Sequence, residues 1–176
     1  MFDIYTIGAD VLRHPATRIE RFDDELAATV EKMFATMKWG HGIGLAGPQV
    51  GLSQRIFVVQ TDESKPLVFI NPEIIATSPD MSDYEEGCLS IPGVYSDLAR
   101  PASVRVQAYN EKGRRFNLEA DGLLARVIQH EYDHLEGILF TDRLPERTRD
   151  RVLKQYEKRM RDRKSTRLNS SHRIRS

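Results

Sequence analysis

Several features are scarce or absent in this sequence, and each absence excludes a class of protein. The 176 residues include one cysteine, Cys88, so no disulfide forms within the chain and a reducing compartment is expected. No stretch reaches the roughly 18 apolar residues of a membrane helix, and the N-terminus lacks a basic start followed by an apolar run. No internal repeat is visible. With 40% hydrophobic and 30% charged residues, we expect one globular, cytoplasmic domain.

Net charge is also lacking, and this balance depends on the C-terminal segment. The formal charge is zero, which gives no sign of a nucleic-acid partner. Residues 162–176 are basic and serine-rich, and residues 162–172 (DRKSTRLNSSH) match the translation of a common sequencing adapter. We therefore hypothesise one domain at residues 1–161 and a non-native, disordered tail at 162–176. Five of the 26 basic residues and one of the 26 acidic residues lie in this tail, so the remaining body is mildly acidic.

Hydrophobic periodicity predicts three helices, which begin near Asp23 or Asp24, Asp121 and Pro145. Runs of β-forming residues predict strands at 55–60, 67–72, 104–109 and 115–119. The glycine-rich segment 41–51 is predicted to be a loop. These elements indicate an α+β fold, in which mainly antiparallel strands pack around a central helix, with an N-terminal helix and a C-terminal helix.

The central helix carries the strongest chemical signal, residues 130–134 (HEYDH). Because His130 and His134 lie one turn apart on one helix face, both imidazoles can reach one metal ion, and Glu131 beside them suits a general base. A catalytic metal site needs a third protein ligand and an open position. Acidic residues downstream are poorly placed, whereas Cys88 upstream offers a thiolate. We therefore interpret this helix as metal-binding.

Three segments together resemble the signature motifs of the peptide deformylase family: residues 42–49 (GIGLAGPQ), 86–90 (EGCLS) and 129–134 (QHEYDH). Their order and spacing also match, and the resemblance extends from near the N-terminus to about Met160. One departure is Gly47, which stands where the family usually has alanine. We expect looser loop packing at Gly47 and no loss of chemistry.

The resemblance implies a metal-dependent hydrolase that removes the formyl group from the N-terminal formylmethionine of nascent peptides and releases formate. It implies that the metal ligands are Cys88, His130 and His134. Fe(II) is the expected ion, and Zn(II), Ni(II) and Co(II) are alternatives that the same ligands accept. The implied catalytic roles are proton transfer by Glu131 and oxyanion stabilisation by Gln49 and the backbone N–H of Leu89.

The resemblance also implies a set of substrate contacts, and these are Ile43, Gly44, Gly87, Leu123 and Val127. Apolar residues at such spacing are equally compatible with core packing. Glu86 and Asp133 are interpreted as ligand-orienting or surface acids, and for Asp133 a surface position is favoured. The implied partner is an N-formylmethionyl peptide, with the ribosome exit tunnel near a basic C-terminal helix. The alternative interpretation of that helix is an ordinary charged helix exposed to solvent. We expect the protein to be a monomer that contacts neither a membrane nor nucleic acid directly.

Two other functions stay open at this stage. The first is a metallopeptidase built on the same two-histidine helix, against which stand the cysteine and the missing downstream ligand. The second is a non-catalytic relative whose metal is structural or lost. Such a relative would typically lack Glu131, Gln49 or Cys88, and all three are present. A nucleic-acid binder is least favoured because the body is acidic.

Overall fold

The computed structural model describes residues 1–175, with side chains through Thr166. In chain order its elements are α1 (Asp24–Trp39), β1 (Gly44–Ala46), β2 (Ile56–Val59), β3 (Leu67–Thr77), β4 (Met81–Cys88), β5 (Ile91–Pro101), β6 (Ser103–Tyr109), β7 (Arg115–Asp121), α2 (Gly122–Leu135) and α3 (Glu146–Arg175). Short 3₁₀ helices lie at Asp10–Arg13, Gly47–Val50 and Phe140–Arg143. The α+β class with three helices is confirmed. Across these residues, none of the helices has both the length and the apolar character of a membrane span.

The named strands form two separate antiparallel systems. Five of them pair in the order β1-β2-β3-β6-β7, while β4 and β5 form a two-stranded unit that we call the ribbon. Strand β1 lies at one edge of the five-stranded sheet, paired with β2. Residues carried by the sheet, by the ribbon and by α2 can therefore meet at a boundary between three elements.

Helices α1 and α2 begin at the aspartates that the sequence indicates. The side chain of Asp23 accepts a hydrogen bond from the backbone N–H of Leu26 at 3.0 Å, as capping residues do. Asp121 occupies the N-cap position of α2, although its side chain makes no capping hydrogen bond. The buried face of α1 packs with β2 and β3 in one core cluster through Leu26, Val30, Met33 and Met37.

Helix α2 lies against β1, β2 and β7, which makes it the central helix of the fold. Its residues Ile128 and Leu135 are fully buried in a cluster with Phe57 of β2. Two residues after its end, Gly137 has a φ of +76°, and an added Cβ there would lie 2.6 Å from the carbonyl oxygen of Arg13. Glycine is therefore required where the chain leaves this helix.

The sequence pattern does not predict the ribbon. Strand β4 is acidic and has few β-branched residues, and β5 contains Pro92, Gly93 and Pro101, which disfavour a strand assignment. The predicted loop at 41–51 is also partly wrong, since it contains β1 and a 3₁₀ helix. These are the segments in which tertiary packing overrides local propensity.

Helix α3 continues through the segment from Asp162 for which the sequence pattern indicates no helix. No glycine or proline occurs between Glu146 and Arg175, so nothing in the sequence stops the helix. The helix docks on the ribbon through Val152 and Tyr156, which share a core cluster with β5 residues. Side chains at positions 161–166 are exposed, so the docked part of the helix precedes the segment that resembles an adapter.

Candidate metal centre

Helix α2 presents two imidazoles one turn apart. The ring centroids of His130 and His134 are 5.1 Å apart, and the two residues are 8% and 1% exposed. Burial holds the pKa of His134 well below its ordinary value, and the positive charges of His130 and Arg100 act in the same direction. His134 is therefore neutral at ordinary pH, which is the form that binds a metal.

The ribbon brings a thiol to the same point. The sulfur of Cys88, the last residue of β4, lies 3.4 Å from Nε2 of His134. The ligand atoms of Cys88, His130 and His134 all lie within 4.8 Å of one another. A tetrahedral ion bound at about 2.3 Å by sulfur and about 2.0–2.1 Å by nitrogen separates these donors by roughly 3.5 Å. The three residues therefore form a metal site that fits one divalent ion.

A buried carboxylate holds the outer nitrogen of His130. Nδ1 of His130 lies 2.9 Å from Oε1 of Glu86, and a proton on Nδ1 leaves Nε2 free to bind a metal. Burial opposes the ionisation of Glu86, but hydrogen bonds from His130 and Arg100 outweigh it and hold the pKa of Glu86 below its ordinary value. The metal ligand His130 is therefore hydrogen-bonded to the carboxylate of Glu86, which stays ionised near neutral pH.

Glu131 lies beside the ligands and against β1. An added Cβ at Gly44 would lie 2.6 Å from Oε2 of Glu131, so only glycine leaves room for this carboxylate. Its Oε1 is buried and has no hydrogen-bond partner among the described residues. Burial raises the pKa of Glu131 to about 7. A carboxyl group with such a pKa can take up and release a proton near neutral pH.

Gln49 and Leu89 border the same site. The side-chain oxygen of Gln49 accepts a hydrogen bond from the backbone N–H of Ala46 at 2.9 Å, which fixes the buried amide. Its nitrogen then lies 3.6 Å from the sulfur of Cys88 and 3.2 Å from the hydroxyl of Ser90. Leu89 lies in the turn between β4 and β5 and lines the cleft. The side-chain amide of Gln49 therefore lies beside the thiol ligand.

A cleft of about 480 Å³ opens onto the ligands. All five residues predicted to contact substrate line this cleft, namely Ile43, Gly44, Gly87, Leu123 and Val127. Ile43 is 40% exposed and Leu123 is 38% exposed, whereas Val127 is buried. The two partly exposed residues thus form an apolar rim around the metal ligands.

A larger groove of about 1020 Å³ adjoins this cleft and shares Ile43 and Leu123 with it. Its lining also includes the 61–64 loop, the ends of β3, β6 and β7, and the first residues of α2. None of the three metal ligands lines it. The smaller cleft therefore holds the chemically active groups.

Comparison with known proteins agrees with this geometry. A family model described as polypeptide deformylase matches residues 1–150. The chain belongs to the peptide deformylase family. Among its relatives, the peptide deformylase of Treponema pallidum (strain Nichols) is 49% identical over 150 residues, covering 85% of this chain and 92% of the relative. That of Borreliella burgdorferi is 49% identical over 148 residues, covering 84% and 90%.

Solved structures of peptide deformylases also superpose on this fold. A peptide deformylase from Synechococcus elongatus in complex with actinonin matches with a TM-score of 0.84 and 48% identity, over 88% of this chain and 86% of that chain. One from Legionella pneumophila matches with a TM-score of 0.87 and 36% identity, over 93% and 97%. The predicted family, enzyme class and Cys/His/His metal site are therefore confirmed.

The departure from the deformylase pattern at Gly47 does not loosen the loop. Gly47 is buried, and an added Cβ would lie 2.8 Å from the carbonyl oxygens of Leu52 and Gln54. The expectation of looser packing is wrong, because the following turn closes over Gly47. In this deformylase the backbone fills the space that an alanine methyl group would take.

A buried charge cluster lies behind the metal site of this deformylase and is formed by Glu86, Arg100, Arg126 and Asp133, with Arg143 at its solvent-exposed edge. Arg100 donates to Glu86 at 2.6 Å and to Asp133 at 2.9 Å. Arg143, whose side chain is partly exposed, donates to Asp133 at 2.6 Å. Asp133 is only 5% exposed, so the surface position favoured from the sequence is wrong. Asp133 faces inward because it pairs with Arg100 of β5 and with Arg143 of the 3₁₀ helix that follows α2.

Sequence reasoning misses the three arginines of this cluster. The partners of Glu86 lie 14 and 40 residues away, and no local spacing connects them. One signal was available for Arg126, which interrupts the apolar run of the central helix one turn before His130. A charged residue on the buried face of a helix requires a charged or polar partner.

Proposed function

We propose that this deformylase hydrolyses the formamide bond at the N-terminus of formylmethionyl peptides. The observation that carries the proposal is the convergence of Cys88, His130 and His134 within 4.8 Å, with the buried carboxyl group of Glu131 beside them in an open cleft. Three ligands with an accessible fourth position are typical of catalytic metal sites. A downstream third ligand, which a metallopeptidase of the two-histidine type would use, is replaced here by the ribbon cysteine.

Cys88, His130 and His134 would hold the ion, which when bound acidifies a water molecule and polarises a carbonyl group. Fe(II) is the ion we propose, and Zn(II), Ni(II) and Co(II) suit the same thiolate and imidazole ligands. In the metal-bound state the thiolate and the two imidazoles, each unprotonated at the nitrogen that faces the ion, would supply one negative charge to a dication. The buried Glu86 behind His130 adds a second negative charge at longer range.

Glu131 serves as the proton carrier in this proposal. Its unpartnered oxygen accepts a proton from the attacking water while a bond forms between the water oxygen and the formyl carbon. Glu131 then gives that proton to the peptide nitrogen as the carbon–nitrogen bond breaks. The products are formate and a free N-terminal amine, so no oxidant or further reactant is needed.

Gln49 and Leu89 stabilise the oxygen that becomes negative during attack. The amide of Gln49 is fixed by Ala46, so its N–H groups are already oriented before the substrate arrives. Leu89 follows the ligand Cys88 directly in the chain, in the turn between β4 and β5, which supports the role proposed for its backbone N–H. Donors that need no reorientation contribute most when charge develops in a desolvated site.

The substrate enters as an extended peptide along the cleft. Ile43, Leu123 and Val127 offer an apolar slot for the methionine side chain, next to the metal ligands. Gly44 lies on the edge strand β1 and Gly87 lies on β4, so both strands can pair with the peptide backbone. The absence of side chains at these glycines keeps that approach open.

We further propose a cytoplasmic monomer that works close to ribosomes. Helix α3 carries a row of basic residues, and these are Arg147, Arg149, Arg151, Lys154, Lys158, Arg159 and Arg161. Such a helix favours contact with a polyanionic surface. Co-sedimentation with ribosomes at low and high salt tests this contact, and binding that does not weaken with salt contradicts an electrostatic mode.

Formate release from a formyl-methionyl peptide tests the proposed activity. Protein loaded anaerobically with Fe(II) or Zn(II) should release formate, and Glu131→Gln should retain the metal while losing about 100-fold or more in kcat/KM. Glu136→Gln is the matched control, because this partly exposed acid at the end of the same helix pairs with Arg55 outside the cleft. Cleavage of unformylated peptides without formate release would instead favour the peptidase.

A further inference from the structure

We propose that Arg126 is a positioning residue that locks the ribbon onto α2 and thereby sets how tightly the metal is held. Its side chain is 5% exposed, and its guanidinium reaches both strands of the ribbon. It donates to Oε2 of Glu86 at 2.8 Å and to the carbonyl oxygen of Leu98 at 2.7 Å. It also donates to the carbonyl oxygen of Ser82 at 2.8 Å and to the Ser82 hydroxyl at 3.1 Å.

The contacts between β4 and α2 run in the same order along both elements. On α2, residues 126, 130 and 134 recur every four positions, or about 6 Å along the axis. On β4, Glu86 and Cys88 lie two residues or about 6.6 Å apart, which matches the spacing of His130 and His134. Ser82 lies four residues or about 13 Å before Glu86, and the Arg126 guanidinium contacts both of them. Arg126 meets Ser82 and Glu86, His130 meets Glu86, and His134 meets Cys88. We call this series of contacts the ladder. It begins at Arg126 and ends at the thiol ligand, Cys88.

The metal site depends on this ladder because its ligands come from different elements. His130 and His134 are fixed by α2 itself, whereas Cys88 is carried by the ribbon, which pairs with no other named strand. Two buried arginines, Arg126 and Arg100, join the ribbon to the helix. Of the two, Arg126 alone binds backbone carbonyl oxygens of both ribbon strands, so it fixes the position of both strands against α2.

Removal of Arg126 should leave a folded protein with a looser thiol ligand. Arg100 still pairs with Asp133, Gln129 of α2 still donates to the carbonyl oxygen of Pro101, and His130 still contacts Glu86, so the ribbon stays attached to α2. The imidazole ligands stay in place on the helix. The distance between Cys88 and the two histidines becomes less restricted, and groups that support metal ligands in this way typically change metal affinity 10- to 100-fold.

Metal release from cobalt-loaded protein tests this role of Arg126, which rests on the ligand set of the proposed function. Co(II) is loaded into wild type, Arg126→Met, Arg126→Lys and the control Arg105→Met, and its transfer to excess chelator is timed. The control removes an arginine from an exposed pair with Glu119. We expect release at least tenfold faster in Arg126→Met, an intermediate rate in Arg126→Lys, and a rate within twofold of wild type in the control. The thiolate-to-cobalt absorption band should weaken in the same order.

A merely structural role would produce a different pattern. Arg126→Met would then lower the denaturant midpoint of the metal-free protein, while its release rate and cobalt band stay within twofold of wild type; that result overturns the proposal. If Arg126→Met does not fold, Arg126→Lys and Ser82→Ala decide by the same two readouts, and unchanged release in both overturns it. Wild type that binds Co(II) but releases no formate refutes the proposed function alone, whereas wild type without the cobalt band refutes both.

Discussion

Two sets of arginine–carboxylate pairs in this protein have similar bond lengths and very different surroundings. In the buried charge cluster, Arg100 and Glu86 are 2.6 Å apart, and their side chains are 4% and 3% exposed. Across β6 and β7, Arg105 and Glu119 are 2.5 Å apart, and their side chains are 53% and 72% exposed. The distance between the charges therefore says little about what each pair contributes.

The exposure of each ion pair to water decides how much the pair contributes to the free energy of unfolding. Water screens the exposed pair and also solvates either partner when the other is removed, so such pairs contribute about 0–1 kcal/mol. The buried pair excludes water, and loss of one partner leaves an uncompensated charge. The buried cluster also reaches a metal ligand through Glu86, whereas the exposed pair contacts none. An arginine–carboxylate pair thus supports a metal ligand in the buried cluster, whereas the pair across β6 and β7 lies on the surface and contacts no ligand.

The largest effect is expected for Glu86→Gln. This change leaves Arg100 and Arg126 without their shared carboxylate and His130 without its negative partner. The free energy of unfolding of the metal-free protein should fall by about 3–5 kcal/mol, because buried charges lose their partner. Urea titration followed by circular dichroism measures this loss. A loss below about 1 kcal/mol would show that water reaches the cluster and would remove the contrast with the exposed pair.

Asp133→Asn should have a smaller effect of about 1.5–3 kcal/mol, the range for a lost hydrogen bond to a charged group. One of its partners, Arg100, is buried, but the side chain of Arg143 is 46% exposed and can be solvated by water. The same urea titration measures the change. A loss as large as that of Glu86→Gln would mean that Arg143 depends on Asp133 more than its exposure indicates.

Glu119→Gln should change the free energy of unfolding by less than about 1 kcal/mol, and the change should shrink further at high salt. The mutation breaks the exposed pair with Arg105 and touches no metal ligand. Parallel titrations at about 0.05 M and about 0.5 M salt check the screening. A salt-independent loss above about 2 kcal/mol would place this pair with the buried ones.

Truncation after Arg161 should have the smallest effect, within about 0.5 kcal/mol. The removed segment follows the part of α3 that packs on the ribbon through Val152 and Tyr156. Thermal unfolding and cobalt release of the shortened chain should match those of the full chain. A clear loss of stability would contradict the hypothesis that residues 162–176 are a foreign tail.

Much of the site can be predicted from the sequence because its chemistry is written in short motifs. The two histidines and Glu131 lie within five residues on one helix, where periodicity alone places them together. Cys88 is further away, and only its glycine-flanked motif and its place as the sole cysteine indicate that it joins them. The helices are predicted for the same reason, since their hydrophobic periods and caps are local features.

The ribbon and the buried arginines cannot be predicted in this way. Strand β5 contains Pro92 and Gly93, which local propensity assigns to a turn, yet pairing with β4 keeps it extended. Arg100 and Asp133 look like surface residues until the ribbon is docked on α2, because their burial depends on partners 33 residues apart. What the sequence conceals is thus the packing of one element on another.

The distance along the chain between the thiol and the last imidazole has a consequence for newly made protein. Cys88 precedes His134 by 46 residues, so at about 5–20 residues per second roughly 2–9 s pass between their incorporation. During that interval the thiol has neither its ion nor the ribbon and helix that later enclose it. The sulfur is therefore open to oxidation before the ribbon and α2 enclose it, and the full ligand set for a metal ion exists only after α2 has been completed.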